Sequence, residues 1–201
     1  TSATFKFATL VKGTSTYVPS SSSPMLHRLL SNGICSLNPE VDRLAVTFDM
    51  ELDEDGNLIK FTPYESIIRS RKQMTYKNVN KILEDGVIPE GYEEYADKLK
   101  LMDELSLIVR KEKVNRGYID FDVKEAKILV DENCHPTDIV LRNRGRGENI
   151  IEDFMICANE TVATHIYYME LPFVYRIHGE PNEEKINNFV RFVGLLGYKI
   201  K

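Results

Sequence analysis

The sequence has little cysteine and no long apolar run, and each shortage excludes a class of protein. Its three cysteines (Cys35, Cys134 and Cys157) lie far apart and are odd in number. That argues against a disulfide framework or a zinc site and for a reducing, cytoplasmic setting. No apolar stretch reaches the length of a membrane-spanning helix, about 18 residues, so we expect no contact with a membrane. The first ten residues, TSATFKFATL, lack the basic-then-apolar order that is typical of a signal peptide.

An excess of positive charge is also missing. The net charge is −5 at pH 7, so no overall positive field attracts nucleic acid, and any contact with RNA or DNA has to be local. Two local basic groups are Arg69, Arg71 and Lys72, and then Arg142, Arg144 and Arg146. Tyr76 and Phe121 lie close to them in sequence, and cations beside aromatic rings are what single-stranded nucleic acid requires. A solvated basic loop is the alternative interpretation of the second group, which contains the run RGRG.

Common catalytic and metal-binding motifs are absent from the sequence. The four histidines have neither an i,i+4 partner nor a nearby acid in a zinc-protease pattern. No serine lies in a Gly-x-Ser-x-Gly elbow, and no glycine-rich phosphate loop is present. Asp53 and Asp55 precede Gly56 with the spacing of a tight turn and not of a calcium loop. The residues alone therefore indicate no catalytic or metal site.

Alternation and turn residues predict several strands. Apolar and polar residues alternate strictly over residues 44–52, which predicts a half-buried strand, and Gly56 then supplies the positive φ of a hairpin turn. The following segment continues as one or two strands interrupted at Pro63. The run SSSSP, at residues 20–24, reads as a loop. Further strands are predicted at residues 5–7, 15–18, 116–123, 126–131, 136–143 and 172–178, the fourth and fifth of which form a hairpin.

Apolar residues spaced three and four apart predict amphipathic helices. After a short helical segment that ends at Gly33, the predicted helices begin at Thr75 and span residues 92–113, 149–169 and 183–196. The side chains expected to face inward include Val79, Ile82, Leu99, Leu105, Val109, Ile151, Phe154, Met155, Ile186, Phe189, Val190 and Val193. A strand cluster, then helices, a hairpin, a helix, a strand and a helix predict an α+β fold with a mixed or antiparallel sheet.

A long polar loop, LSNGICSLNPEVDRL at residues 30–44, carries apolar residues that favour burial. We expect Cys35 to be a small buried residue and not a nucleophile, because no histidine is placed to activate it. Asp42 and Arg43 are predicted to form a buried acid–base pair that fixes the entry into the next strand. The loop is interpreted as architecture, and direct contact with nucleic acid is the alternative.

The segment KGTSTYVPSSSSPMLHRLLSNGICSLNPEVDRLAVTFDMELDEDG, at residues 12–56, resembles the middle of the catalytic domain of the ribonuclease II and ribonuclease R exoribonucleases. The family pattern is Gly-Thr-Ser-x-Tyr, then Pro-Met-Leu, then Leu-Ser-Asn-Gly-x-Cys-Ser-Leu-x-Pro-x-x-Asp-Arg-Leu. Four further segments match in the same order: IIRSRKQMTYKNV, RGYIDFDVKEAKILVDE, IIEDFMICANETVA and PFVYRIHGEP. The resemblance covers nearly the whole chain and is nearer to ribonuclease R than to ribonuclease II, mainly through GTSTYVP, GYIDFDV and IIEDFM.

The resemblance implies a processive enzyme that hydrolyses single-stranded RNA from the 3′ end to nucleoside 5′-monophosphates with magnesium. Clustered carboxylates of the family hold the metal, which activates the attacking water. By resemblance, these carboxylates precede the Gly-Thr-Ser-x-Tyr strand, and a catalytic arginine follows the last residue. We therefore expect residues 1–201 to be about half of the catalytic domain, inactive alone, without metal ligands and without the family's cold-shock and S1 barrels. Missing flanking strands would expose sheet edges and apolar surface, which favours self-association.

The resemblance assigns four RNA-binding residues. Tyr17 matches the tyrosine that stacks on RNA where the strand enters the channel, and Phe121 matches the aromatic against which the 3′-terminal base packs. Tyr76 and Glu152 match positions near the terminal riboses, where a carboxylate can accept a hydrogen bond from a 2′-hydroxyl. Burial in a strand is the alternative for Tyr17 and Phe121. A helix N-terminal position for Tyr76 and a first-turn position for Glu152 give those two structural reasons instead.

Two other functions stay open. A non-catalytic RNA-binding or scaffold relative would keep this half of the fold without the acids. A generic cytoplasmic interaction domain would share the α+β architecture alone. RNA affinity separates the exoribonuclease and the non-catalytic relative from the generic interaction domain. The aspartate-rich segment of the natural parent gene separates the enzyme from the non-catalytic relative.

Overall fold

A computed structural model describes residues 13–18, 21–120, 125–142, 144–177 and 179–200. The chain divides into two compact units, residues 1–161 and residues 162–201. The strands are β1 (Thr16–Val18), β2 (Ser21–Ser23), β3 (Asp42–Leu52), β4 (Leu58–Arg69), β5 (Glu125–Val130) and β6 (Pro136–Arg142). The α-helices are α1 (Tyr76–Leu83), α2 (Ala96–Asn115), α3 (Arg146–Tyr168) and α4 (Glu183–Leu195), with a π-helical segment at Leu29–Ile34 and a 3₁₀ turn at Glu93–Tyr95.

The strands pair as three antiparallel hairpins, which confirms the α+β class. The predicted loop at residues 20–24 is wrong in part, because Ser21–Ser23 forms β2 and pairs with β1, with Tyr17 opposite Ser22. Serine has a low intrinsic preference for strands. The backbone partners that β1 supplies outweigh that preference, since they satisfy the amide and carbonyl groups of the serine run.

The β3–β4 hairpin has the predicted turn but a longer second strand. Gly56 has a φ of 88°, and Oδ1 of Asp53 accepts hydrogen bonds from the backbone N–H groups of Asp55 and Asn57 at 3.0 and 2.8 Å. The expected interruption at Pro63 is absent, because Pro63 lies within β4 opposite Phe48. In a two-stranded sheet, alternate N–H groups point away from the partner strand, so a proline is tolerated there.

The apolar face of β3 is covered only in part. Phe48 is half-buried and stacks on Phe61 of β4, with the ring centroids 5.7 Å apart. Leu44, however, is 83% exposed, and its cross-strand neighbour Ile67 is also exposed. The prediction of a half-buried strand is therefore wrong at the start of β3, where no described residue covers the side chain of Leu44. Self-association through such apolar surface stays a prediction.

The core lies where α1 meets the start of α2. It is built from Val79, Ile82, Tyr92, Ala96 and Leu99. Thr75 caps α1 as predicted, because its side chain accepts from the backbone N–H of Asn78 at 3.4 Å. The hydroxyl of Tyr92 accepts in turn from the backbone N–H of Thr75 at 3.3 Å. These contacts tie the beginning of α1 to the turn that leads into α2.

The inward faces of the later helices differ from the prediction. Leu105 on α2 and both Ile151 and Met155 on α3 are exposed, whereas Ile150 and Asp153 are buried. The buried face of α3 is rotated because it carries a carboxylate that has cationic partners on α2. In the second unit, α4 is capped by the side chain of Asn182, but the residues expected to be buried there are at most half-buried. Of these, Ile186, Phe189 and Val190 are exposed and Val193 is intermediate.

Two predicted strands are wrong within the described residues. Residues 116–120 form a turn and an irregular segment, and residues 171–177 are irregular. Their alternating apolar pattern lacks a hydrogen-bonding partner strand among the described residues. The predicted strand at residues 5–7 lies outside the described residues, as does His178. In the parts of the chain that the structure describes, no helix combines the length and the apolar character needed to cross a membrane.

The loop before β3 is held by backbone contacts and not by a buried ion pair. Cys35 is exposed, contrary to the prediction. Arg43 donates to the carbonyl oxygen of Ser36 at 3.0 Å. The carboxylate of Asp42 instead faces Arg69 of β4 across 3.6 Å, with both side chains exposed. Asp42 and Arg43 diverge because successive side chains in a strand point to opposite faces.

Candidate nucleic-acid interface

The four residues assigned to RNA lie in different parts of the chain. Tyr17 lies on β1 and is 78% exposed. Tyr76 is the first residue of α1 and is exposed. Glu152 lies on α3 with 27% of its side chain exposed. Phe121 lies outside the described residues, so its place beside the other three stays a prediction.

The run RGRG builds the junction between α1 and α3. The backbone N–H of Gly147 donates to Oδ1 of Asn80 at 2.7 Å, and a Cβ on Gly147 would lie 2.9 Å from that oxygen. Arg146 donates through Nε to Oδ1 of Asp103 on α2 at 2.9 Å. The glycines therefore let two helices approach closely, and Arg146 is used in an internal ion pair. Arg146 and Gly147 therefore take part in helix packing and do not form a solvated basic loop.

A cleft of about 470 Å³ opens beside this junction. Tyr76 and Thr75 line it from the start of α1, Tyr95 from the turn before α2, and Ile151 from α3. Its walls are mainly apolar, with Lys98 as the charged residue among those that line it. Since Glu152 follows Ile151 on α3, the junction brings the elements that carry Tyr76 and Glu152 to one region of the first unit.

The carboxylate of Glu152 has a partner on each oxygen. The Tyr118 hydroxyl lies 3.4 Å from Oε1, and Nη2 of Arg144 donates to Oε2. Burial lowers the pKa of the Arg144 guanidinium, but the hydrogen bond to Glu152 and the nearby acids outweigh it, so that pKa is raised overall. Glu152 lies in the second turn of α3, which begins at Arg146, so the predicted first-turn position is wrong. The helix dipole is therefore a weaker reason for this glutamate, because that effect falls off within the first turn.

Asp153 anchors the same part of α3 from the buried side. Its carboxylate is 0% exposed and accepts from Ser106 Oγ at 2.8 Å, Arg110 Nε at 3.0 Å and Lys113 Nζ at 3.0 Å. Burial raises the pKa of Asp153, but the hydrogen bonds from Arg110, Lys113 and Ser106 outweigh it and lower that pKa below its usual range. The group is therefore ionised at neutral pH, and it joins α2 to α3.

The network continues from Asp153 to the irregular segment after α2. Arg110 also donates through Nη1 to Oδ2 of Asp120 at 2.9 Å, and Nη1 of Arg144 lies 3.9 Å from Oδ1 of Asp120. Lys113 Nζ lies 4.0 Å from the centroid of the Tyr118 ring, which is a cation–π contact. These charges hold residues 118–120 against α2 and α3.

The described residues do not fit a magnesium site. No group of three or more His, Cys, Asp or Glu side chains within them could hold a metal ion. The most deeply buried carboxylate, Asp153, is already neutralised by two cations and a hydroxyl. Mg²⁺ requires near-octahedral oxygen ligands, which this arrangement does not offer.

Sequence reasoning missed Tyr118 and the anchor at Asp153, and it named Arg144 within a local basic group without its contact to Glu152. A signal for the anchor was present on α2, where Ser106, Arg110 and Lys113 recur at spacings of four and three. Such spacing places polar residues on one helix face, and the apolar Val109 on the same face hides the pattern. The sequence contained no comparable signal for Tyr118, which contacts Glu152 across 34 positions.

The chain is similar to known proteins over almost its whole length. The RNB domain family matches residues 7–200. Ribonuclease R 1 of Lactococcus lactis is 44% identical over 191 residues, which cover 94% of this chain and 23% of that protein. Ribonuclease R of Thermotoga maritima is 42% identical over 94% of this chain and 27% of that protein. The chain thus spans about a quarter of the length of these relatives.

A solved structure shows the same fold. Mycoplasma genitalium RNase R in complex with ribose methylated single-stranded RNA superposes with a TM-score of 0.86 at 32% identity, covering 98% of this chain and 30% of that one. The α+β fold and the resemblance inferred from sequence motifs are confirmed. The family match spans almost every residue, so the chain belongs to the RNB domain family.

Proposed function

We propose that this chain supplies the RNA-clamping surface of a processive 3′–5′ exoribonuclease that hydrolyses single-stranded RNA to nucleoside 5′-monophosphates. The observation that carries the proposal is the RNB match over residues 7–200, together with ribonuclease R relatives up to 44% identical. The chain spans about a quarter of those relatives, so the activity is proposed for the whole enzyme. The enzyme is proposed to act in the cytoplasm.

Tyr17 and Phe121 are proposed to stack on bases. The exposure of Tyr17 supports this role, because a ring that is 78% exposed on β1 is free to meet a base and is not explained by strand burial. Stacking contributes roughly 1–3 kcal/mol per base and tolerates every base identity. That tolerance suits an enzyme that has to digest RNA of any sequence.

Glu152 and Tyr76 are proposed to contact the terminal riboses. Each oxygen of the Glu152 carboxylate has one protein partner. An ionised carboxylate has about four lone-pair positions, so capacity remains for a hydrogen bond from a ribose. A 2′-hydroxyl can donate that bond and a deoxyribose cannot. Tyr76 lies exposed at the start of α1, beside the cleft that Ile151 also lines.

Magnesium is proposed as the cofactor of the whole enzyme, held by carboxylates that are not among the described residues. In such sites the metal lowers the pKa of a bound water and stabilises the charge of the departing oxygen. The part played by this chain is different. Its residues would bind the substrate strand, orient the terminal nucleotide and select RNA over DNA.

The test is a nucleotide-release assay with the chain, magnesium and a 3′-labelled single-stranded RNA. We expect the RNA to be bound without release of labelled 5′-monophosphate, and we expect Phe121→Ala to weaken that binding. Release of monophosphates would contradict the proposal that this chain is inactive alone. The non-catalytic alternative also predicts binding without release. An aspartate-rich segment in the parent gene would distinguish the enzyme from that alternative. A generic interaction domain predicts neither binding nor release.

A further inference from the structure

The carboxylate of Glu152 is held from two sides by residues outside its own helix. Tyr118, in the turn after α2, lies 3.4 Å from Oε1. Arg144, two residues before α3 begins, donates to Oε2. Glutamate has several rotatable bonds, and fixing them on binding would cost conformational entropy. Two fixed partners remove that cost in advance, provided that they are themselves held in place.

Both partners are held in place by further charges. Lys113, which is almost fully buried and paired with Asp153, lies against the Tyr118 ring. Nη1 of Arg144 lies 3.9 Å from Asp120, and Asp120 is hydrogen-bonded to Arg110. Tyr118 and Arg144 are thus both connected to the buried carboxylate of Asp153, the first through Lys113 and the second through Asp120 and Arg110.

We propose that Tyr118 and Arg144 are positioning residues that set the preference for RNA over DNA, by holding Glu152 in the orientation in which it accepts from a ribose 2′-hydroxyl. The inference rests on the ribose contact proposed above for Glu152. The sequence motifs assign no role to Tyr118, and they place Arg144 only in a local basic group that could meet phosphates. Tyr118 and Arg144 instead act through Glu152, and the chemical group that they serve is the 2′-hydroxyl.

The ratio of RNA affinity to DNA affinity isolates this role. Arg144 is 41% exposed, so its positive charge also attracts phosphates. RNA and DNA of the same sequence carry the same phosphates, and that attraction cancels in the ratio. A general loss of folding would lower both affinities together. Loss of a correctly oriented acceptor for the 2′-hydroxyl lowers RNA affinity alone.

The experiment measures binding of fluorescently labelled single-stranded RNA and DNA of matched sequence to the full chain by anisotropy. The variants are Glu152→Ala, which removes the acceptor altogether, Tyr118→Phe and Arg144→Gln. Tyr118→Phe removes the hydroxyl and keeps the ring under Lys113. The matched control is Arg116→Gln, which breaks ion pairs to Glu112 and Glu160 at the end of α2 without touching Glu152. Thermal unfolding of each variant verifies that the fold is kept.

Tyr118→Phe and Arg144→Gln are each expected to lower the RNA-to-DNA affinity ratio about two- to tenfold, which is the usual worth of one hydrogen bond. Arg116→Gln should leave the ratio unchanged. If Glu152→Ala lowers the ratio and the other two variants do not, the positioning inference is overturned and the proposed ribose contact stands. Equal losses for RNA and DNA in Arg144→Gln would make Arg144 a phosphate contact and would also overturn it. If Glu152→Ala leaves the ratio unchanged, or the chain binds no RNA, the proposed function and this inference fail together.

Discussion

Nζ of Lys113 lies 3.0 Å from Oδ1 of Asp153, and both side chains are almost fully buried. A buried ion pair gains little relative to an apolar pair of the same size, but removal of one member leaves an uncompensated charge. Here Lys113 on α2 would lose its carboxylate partner, whereas Arg110 would keep its ion pair with Asp120. The packing of α2 against α3 therefore depends on the carboxylate of Asp153.

Asp153→Asn is expected to lower the free energy of unfolding by about 3–5 kcal/mol, the usual cost of breaking a buried pair. Urea unfolding followed by circular dichroism measures this change. The control is Asp97→Asn, which removes the charge of a side chain that is almost fully exposed and pairs with Lys100 at 3.4 Å. The control should cost about 0–1 kcal/mol. Equal effects of the two substitutions would show that Asp153 is not an anchor.

Stability should fall at acidic pH because of the same carboxylate. Burial raises the pKa of Asp153, but the hydrogen bonds that it accepts from Arg110, Lys113 and Ser106 have a larger, opposite effect. The pKa therefore lies below the ordinary value of about 3.9. The unfolded chain therefore takes up a proton at higher pH than the folded chain does. The stabilisation is complete above about pH 4 and is lost as the pH falls through the folded-state pKa.

Urea unfolding at a series of pH values checks this dependence. The difference in free energy of unfolding between the unchanged chain and Asp153→Asn should be constant near neutral pH and should shrink below about pH 4. A difference that stays the same down to the most acidic condition would contradict the lowered pKa of Asp153.

Gly147→Ala is expected to destabilise the junction of α1 and α3. The added Cβ would lie 2.9 Å from Oδ1 of Asn80 and 3.1 Å from Cγ1 of Val79, and such overpacking costs about 1–3 kcal/mol. Gly194→Ala is the matched control, because Gly194 also lies in a helix and has no atom within 4 Å of the new Cβ. Alanine is the better helix former. The midpoint temperature of thermal unfolding should therefore fall for Gly147→Ala and should not fall for Gly194→Ala. The opposite order would contradict the close approach.

Tyr17→Ala is expected to weaken binding of single-stranded RNA by roughly 1–3 kcal/mol, whereas Tyr17→Phe should keep most of the affinity, because stacking requires the ring and not the hydroxyl. Tyr168→Ala is the control, since that tyrosine is equally exposed and lies at the end of α3. Fluorescence anisotropy measures all three. A loss with Tyr17→Phe as large as with Tyr17→Ala would exclude stacking as the source of the affinity.

Local patterns were sufficient to predict the elements whose signals lie within one segment. The turn at Gly56, the cap at Thr75 and the hairpin at β5–β6 follow from turn chemistry, capping and alternation. The prediction was wrong where the outcome depends on a distant partner. Residues 116–120 alternate like a strand but have none to pair with among the described residues, and Ser21–Ser23 became a strand because β1 lies beside it.

The candidate site could be predicted only through the family resemblance. Neither hydropathy nor periodicity distinguishes Tyr17 or Tyr76 from an ordinary strand or helix residue. The orientation of α3 was mispredicted because apolar residues such as Ile151 and Met155 were expected to face inward, whereas Asp153 faces three donors on α2. The spacing of the donors on α2 was the local signal for that contact, but the contact of Tyr118 with Glu152 left no comparable signal.

This chain is proposed above all to bind single-stranded RNA through a surface that recognises the ribose. The most direct measurement is the affinity of the unchanged chain for single-stranded RNA and for DNA of the same sequence, at one fixed salt concentration. We expect measurable binding of RNA that is clearly tighter than binding of DNA, because the 2′-hydroxyl has an acceptor in Glu152. Equal affinity for the two nucleic acids, or binding of neither, would contradict it.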